Sequence, residues 1–470
     1  MHIPKEKSPL FKLWPIFLTY GIVSLIYSSV LINIVQISNL IWPSIPFHIH
    51  AIESSLILSF RSWLWAFAGL LFGMLADRIN RKVLFLITTS FTAISCLMFT
   101  IIPSHFGNNI LLFFIISNAI AGIGLGGNYP LVHSISSDYL TESQRSQFFG
   151  IYYGINLVLS NLGMIISAIA FKQGWWRWFF LAVGILLAVC LVILALFLKE
   201  PPRAHHSSKK LALVLKKSKI AYNYQLTRES FSKSILKTTN IVAIIEGIFT
   251  CILFDVILFL IIPYLKEPPI NLDSNNVSIL FVIFAFPAII LTAVVFAQKV
   301  DQLAHKGITV RVDFIIIAVS VSVVGLIVAF LTPLDYIATD GYIDWKTVLT
   351  KPSFWLFGLI IFAIITARVL YLTNQPPVLQ AINLPEAQGF ISSVNQFLEI
   401  FASGLAPVIG AAALTLTHND YLLTALICSA IGIPGVFLWI YARTKIKKDI
   451  ADIQAILEER AEKFKNEMKV

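Results

Sequence analysis

The chain has 470 residues, 57% of them hydrophobic and 13% charged, with a mean hydropathy of +0.81. A soluble chain carries nearer 25% charge, so this composition excludes a water-soluble globule and demands surface that faces lipid. The net charge of +10 would point to nucleic acid in a soluble protein, but here the bases fall between apolar runs, where the cytoplasmic preference of Lys and Arg accounts for them.

Twelve runs are long enough to cross about 30 Å of hydrocarbon as helix: 14–38, 51–75, 83–102, 110–135, 146–171, 176–198, 240–265, 276–298, 312–332, 353–374, 389–415 and 420–442. Lipid offers backbone groups no partner, and no alternating barrel pattern occurs, so the fold class is all-α. The first run follows Lys5, Lys7 and Lys12 like a signal peptide, but it continues to about Ile37 and reads as a retained span. Of the 35 Lys and Arg, only Lys172, Arg177, Lys266, Lys346 and Lys351 fall outside when both termini are placed in the cytoplasm, and Arg61 and Arg368 lie within spans. This bias sets the orientation.

The second and third runs are joined by Gly73-Met74-Leu75-Ala76-Asp77-Arg78-Ile79-Asn80-Arg81-Lys82, a tight turn with one acid among three bases. The fourth run carries Gly122-Ile123-Gly124-Leu125-Gly126-Gly127. A dinucleotide site would need a strand before such glycines; inside an apolar helix they permit close helix packing. A polar, Lys-rich stretch, 199–239, splits the spans into bundles at 1–198 and 240–442. Tyr139–Gln144 before the fifth span is echoed by Asn383–Gln388 before the eleventh, each after a proline-marked helix end, Pro130 or Pro376-Pro377. In the tail, 443–470, Ile446, Ile450, Ile453, Leu457, Phe464 and Met468 recur at helical spacing, as in an amphipathic helix lying on the inner membrane surface.

Ionisable residues within spans face a cavity or a partner. They are Glu53, Arg61, Glu246, Asp255, Arg368 and Glu399. At about 1.5 Å per residue, Arg61 and Asp255 lie about 21 Å from the cytoplasmic end, Glu246 and Arg368 about 9 Å, and Glu399 about 15 Å. Matching depths pairs Arg61 with Asp255 and Glu246 with Arg368, and leaves Glu399 as the acid best suited to take up a proton. Asn33 and Gln36 in the first span, Asn128 in the fourth, and Tyr371 and Asn374 in the tenth add polar groups for a solute. Cys96, Cys190, Cys251 and Cys428 have neither zinc nor disulfide spacing. No nucleotide loop, nucleophile elbow or metalloprotease motif occurs, so neither enzyme, cofactor nor metal is expected.

The Gly73–Lys82 string resembles the loop between helices two and three of the major facilitator superfamily. Its D-R-x-N-R-K form is similar to the Spinster-like branch of lipid and organic-solute carriers. Lys199-Glu200-Pro201-Pro202-Arg203 and the glycine run followed by Pro130 resemble that branch too. The resemblance implies twelve helices in two six-helix bundles, with helices 1, 4, 7 and 10 lining a cavity and 2, 5, 8 and 11 flanking it. It further implies a conformational latch built from Gly73, Asp77, Arg78, Arg81, Lys82 and Arg145, in which Asp77 meets the start of helix 11. The expected function is secondary transport of a small organic solute by alternating access with proton coupling, in a monomer of the plasma membrane that binds no nucleic acid. The alternatives are export of a lysolipid-like substrate, or a non-transporting receptor or scaffold that signals through the tail.

Overall fold

The computed structural model describes residues 12–76, 78–103, 108–139, 142–200, 236–304, 307–334 and 345–467. Among them there is no strand, and twelve helices are long and apolar enough to cross a bilayer. They are Trp14–Ile32, Phe47–Ala76, Arg81–Thr100, Asn109–Ser136, Ile151–Lys172, Trp176–Phe197, Thr238–Lys266, Ser274–Ala304, Thr309–Leu331, Pro352–Ala381, Phe390–Leu416 and Tyr421–Glu459, here called spans one to twelve. The chain forms two compact units. Asp273–Ser278 groups with spans one to six, and the rest of spans seven to twelve makes the second unit. Most of the linker expected at 199–239 lies outside the described residues.

In the first unit, span one is not continuous. Its helix runs over Trp14–Ser24, gives way to turns at 25–28, and resumes at Ser29–Ile32 and Ile34–Ile41. Through the break the amides of Leu25, Ile26 and Tyr27 reach carbonyls three residues back rather than four. Ser24 and Ser29 hydroxyls donate to the Tyr20 and Leu25 carbonyls, both at 2.7 Å, the kind of local bond that competes with a helix ladder. Irregular backbone at membrane depth persists only where protein or water covers it. Span five covers it here. Gly163 lies so close to the Leu25 backbone that any Cβ would overlap it, Asn156 donates to Ser24 Oγ at 2.9 Å, and Asn33 donates to Ser167 Oγ at 3.2 Å.

The glycine run packs span four against two neighbours. A Cβ on Gly122 or Gly126 would overlap the backbone of Arg61 or Trp65 in span two, and one on Gly124 or Gly127 would overlap Thr92 or Thr88 in span three. Asn118 adds a 2.7 Å bond to the Ile57 carbonyl.

In the second unit, prolines do not end the helices as the sequence reading assumed. The tenth-span helix passes Pro376 and Pro377 and continues to Ala381, as the fourth passes Pro130 on its way to Tyr139. Membrane helices tolerate proline when neighbours hold the turn. Here Val378 and Ile382 are fully buried in a cluster with Leu384, Ile391, Trp439 and Ile446. The tail also departs from expectation. One helix runs from Tyr421 to Glu467 without a break at 442, and Ile446 and Ile453 are buried against the second unit with Ile450 and Leu457 packed beside them. The apolar face therefore covers protein instead of lying on lipid. Phe464's side chain and Met468 lie outside the described residues. Asp449 Oδ2 accepts the Thr239 N–H at 3.0 Å, and Lys237 Nζ donates to Asp452 at 2.9 Å.

Candidate functional site

Spans seven, ten and eleven bring most of the candidate residues of the second unit into one polar seam. Arg368 Nη1 lies 2.8 Å from Asp255 Oδ1, and the guanidinium sits over the Phe254 ring, 5.6 Å from its centroid. This replaces the depth-matched pairing of Arg368 with Glu246. The error came from ending span ten at 374. Measured from Ala381, Arg368 lies about 20 Å along its helix, and Asp255 lies about 25 Å from Thr238.

Glu246 is fully buried. The Thr250 hydroxyl donates to Oε1, and the Tyr371 hydroxyl donates to Oε2 at 3.1 Å. Gln375 Nε2 donates to Tyr371 Oη at 3.2 Å and to Glu399 Oε1 at 2.6 Å. Asn395 Nδ2 donates to Gln375 Oε1 at 3.4 Å. Gln375 and Thr250 were missed by sequence reasoning. Gln375 fell just beyond the assigned end of its span, and Thr250 carried no charge to mark it. Asn374 turns away from the seam, bonding to the Leu370 carbonyl at 2.8 Å and accepting from Arg311 at 3.3 Å.

In the first unit, Arg61 Nη1 donates to the Tyr27 carbonyl at 2.9 Å, inside the break of span one, with its charge 5.8 Å from the Tyr27 ring. The expected pairing of Arg61 with Asp255 joins residues of different units; within its own unit Asp255 holds Arg368. Asn33 is buried on the Ser29 carbonyl and Ser167, and Gln36 is half-buried one turn along. Asn128 is 4% exposed, and neither of its side-chain polar atoms has a hydrogen-bond partner among the described residues.

Of the latch candidates, Asp77 and the side chain of Arg145 lie outside the described residues. Arg78 is exposed. Gly73 faces span four, where among the described residues a Cβ would meet Pro130 at 3.8 Å. Arg81 is buried and donates to Glu200 at 2.9 Å and to the Ser134 carbonyl and hydroxyl at 3.0 Å. The Lys82 N–H binds the other Glu200 oxygen at 3.0 Å. These two residues tie the start of span three to the ends of spans four and six. Arg311 on Asn374 repeats this tie in the second unit, linking the start of span nine to span ten.

The sequence profile of the Major Facilitator Superfamily matches residues 16–343. The chain belongs to this superfamily. Over 158 residues it is 27% identical to protein spinster homolog 1 of Xenopus tropicalis, covering 33% of this chain and 29% of that one. It is 24% identical over 273 residues to the uncharacterized MFS-type transporter YybF of Bacillus subtilis (strain 168), covering 58% and 62%. The matched stretch thus spans less than a third of the spinster relative. Among solved structures, a bacterial homolog to the human lysosomal transporter Spinster, inward-facing and unoccupied, superposes with a TM-score of 0.68 at 16% identity, over 95% of this chain and 99% of that one. A D-xylose-proton symporter gives 0.61 at 13%, over 93% and 96%. These structural likenesses establish the fold. Superfamily membership makes the chain a multi-pass membrane protein of transmembrane transport, and its resemblance runs toward the Spinster branch.

Proposed function

We propose that this facilitator is a proton-coupled secondary transporter of a small organic solute, working by alternating access. The observation that carries the reading is the chemistry around Glu246 and Glu399. Their hydrogen-bond donors are hydroxyls and amides, while Arg368 serves Asp255. An ionised carboxylate among neutral partners at membrane depth is costly, and a carboxylic acid is not. An acid so placed takes up a proton in one state of the cycle and releases it in the other, which ties solute movement to a pH gradient.

In this reading the bundles 1–198 and 240–442, joined by 199–239, rock about a site near the midplane. Asp255 and Arg368 in the second unit, and Arg61, Asn33, Gln36 and Asn128 in the first, are the polar groups each offers a solute. Asp77, with Arg78 and Arg145, latches the cytoplasmic side, and both termini are cytoplasmic in a monomer of the plasma membrane. Purified protein in liposomes, loaded with a solute panel under an imposed pH gradient, provides the test. Accumulation of a solute that follows the gradient and collapses with a protonophore is the expected result. Transport that ignores the gradient overturns proton coupling.

A further inference from the structure

Glu246 and Glu399 stand on different spans, yet an unbroken run of hydrogen bonds joins them. It passes from Glu246 to Tyr371 Oη at 3.1 Å, to Gln375 Nε2 at 3.2 Å, and to Glu399 Oε1 at 2.6 Å. Glu246, Thr250 and Tyr371 are fully buried, Gln375 and Asn395 nearly so, and Glu399 is half-buried. The run therefore has a closed end at Glu246 and an open end at Glu399.

The Glu399 carboxyl also lies directly over Gly247, the residue after Glu246. A Cβ on Gly247 would stand 3.1 Å from Glu399 Oε1 and 3.3 Å from its Cγ. The acid fills space that any other side chain at 247 would claim, so span eleven packs on span seven at this level through a titratable group.

We propose that Glu246 and Glu399 form one linked proton site, and that its occupancy governs how span eleven seats on span seven. This rests on the proton-coupled reading above. Gly247 and Gln375 are positioning residues. With Glu399 protonated, its carboxyl stays on Gly247 and accepts the Gln375 N–H. On release the O–H bond breaks, the proton passes to water at the open end, and the electron pair stays on the carboxylate. That new charge faces a glycine seat and a second acid, so the side chain withdraws toward water and the helix contact loosens. The other titratable groups beside it are Cys251 on span seven and Tyr371 on span ten, while Arg368 on span ten holds Asp255 of span seven. Span twelve brings Gly435 to Glu246, with no charge.

Infrared titration of the full chain in lipid nanodiscs tests this by following the C=O stretch of protonated carboxyls. No solute is needed. In a linked site, Glu246→Gln removes one band and moves the midpoint of the other by about one pH unit, the size expected of interacting acids, and Glu399→Gln does the converse. Gly247→Ala keeps every acid but moves the Glu399 midpoint. Gln375→Leu, which cuts the link without crowding the seat, moves it as well and serves if the alanine variant does not fold. Midpoints that stay put in all four variants overturn the proposal. Linked midpoints without proton-driven uptake in liposomes overturn the coupling instead, and independent midpoints with intact uptake overturn only the link.

Discussion

Arg368 of span ten holds Asp255 of span seven at 2.8 Å. The side chains keep 29% and 22% of their exposure, so neither is fully buried. Neutralising one partner leaves the other charged in a poor solvent. Asp255→Asn or Arg368→Gln is expected to cost about 2 kcal/mol, below the roughly 3–5 kcal/mol of a fully buried pair. The double variant should recover most of that loss in thermal unfolding. Additive losses would show that the two side chains do not depend on each other.

Glu399→Gln should abolish accumulation driven by a pH gradient, bringing the inside-to-outside solute ratio to about one, the value for uncoupled movement. Exchange at equal pH should continue, because the amide keeps the bond to Gln375 and the shape of the seat. Paired uptake and counterflow assays on the same liposomes separate the two. Normal accumulation in this variant would make Glu399 a structural residue.

Asp449, in the helix of span twelve, caps the start of span seven. Asp449→Ala frees the Thr239 N–H and removes a carboxylate from a helix N-terminus, a loss of about 1 kcal/mol. Hydrogen exchange should quicken at Thr239 and the amides just after it. Lys237→Ala removes a pair whose acid, Asp452, is half-exposed and a 3.2 Å bond to the Asp449 carbonyl, and should cost about 0.5 kcal/mol. Equal effects of the two substitutions would argue against the cap.

Arg81 and Asp77 lie four residues apart and should behave differently. Arg81 is 2% exposed and fastens Glu200 and Ser134, so Arg81→Gln should destabilise the first unit by about 2–3 kcal/mol. Asp77→Asn should leave unfolding unchanged and slow transport, if the acid belongs to the latch. Thermal unfolding and transport rate, measured on both variants, sort the two roles.

The twelve crossings could be read from the sequence because lipid forces apolar runs of fixed length into helices. The glycine run could be read as packing because no strand precedes it. The break in span one was hidden, since Leu25-Ile26-Tyr27-Ser28 is as apolar as its surroundings and hydropathy does not register three-residue turns. The partners of Arg368 were lost through one boundary. Taking Pro376 and Pro377 as a stop shortened the helix by seven residues, shifted its depth scale, and left Gln375 outside the span. Helix continuation there depends on burial of Val378 and Ile382, which appears only once spans ten, eleven and twelve are packed. The tail misled for a similar reason, because an amphipathic face has the same pattern whether lipid or protein covers it.

The bond between Thr239 and Asp449 spans 210 residues of chain, and this bears on how the protein is made. Span seven emerges from the ribosome first among its unit, with its leading amides open. The carboxylate that closes them is synthesised only late in span twelve. Until then the helix carrying Glu246 enters the bilayer without its cap, and a chaperone or the insertion machinery has that interval in which to hold it. Biogenesis of the second unit should therefore be completed in one late step, with stalled chains that end before Asp449 remaining open to proteases at the start of span seven.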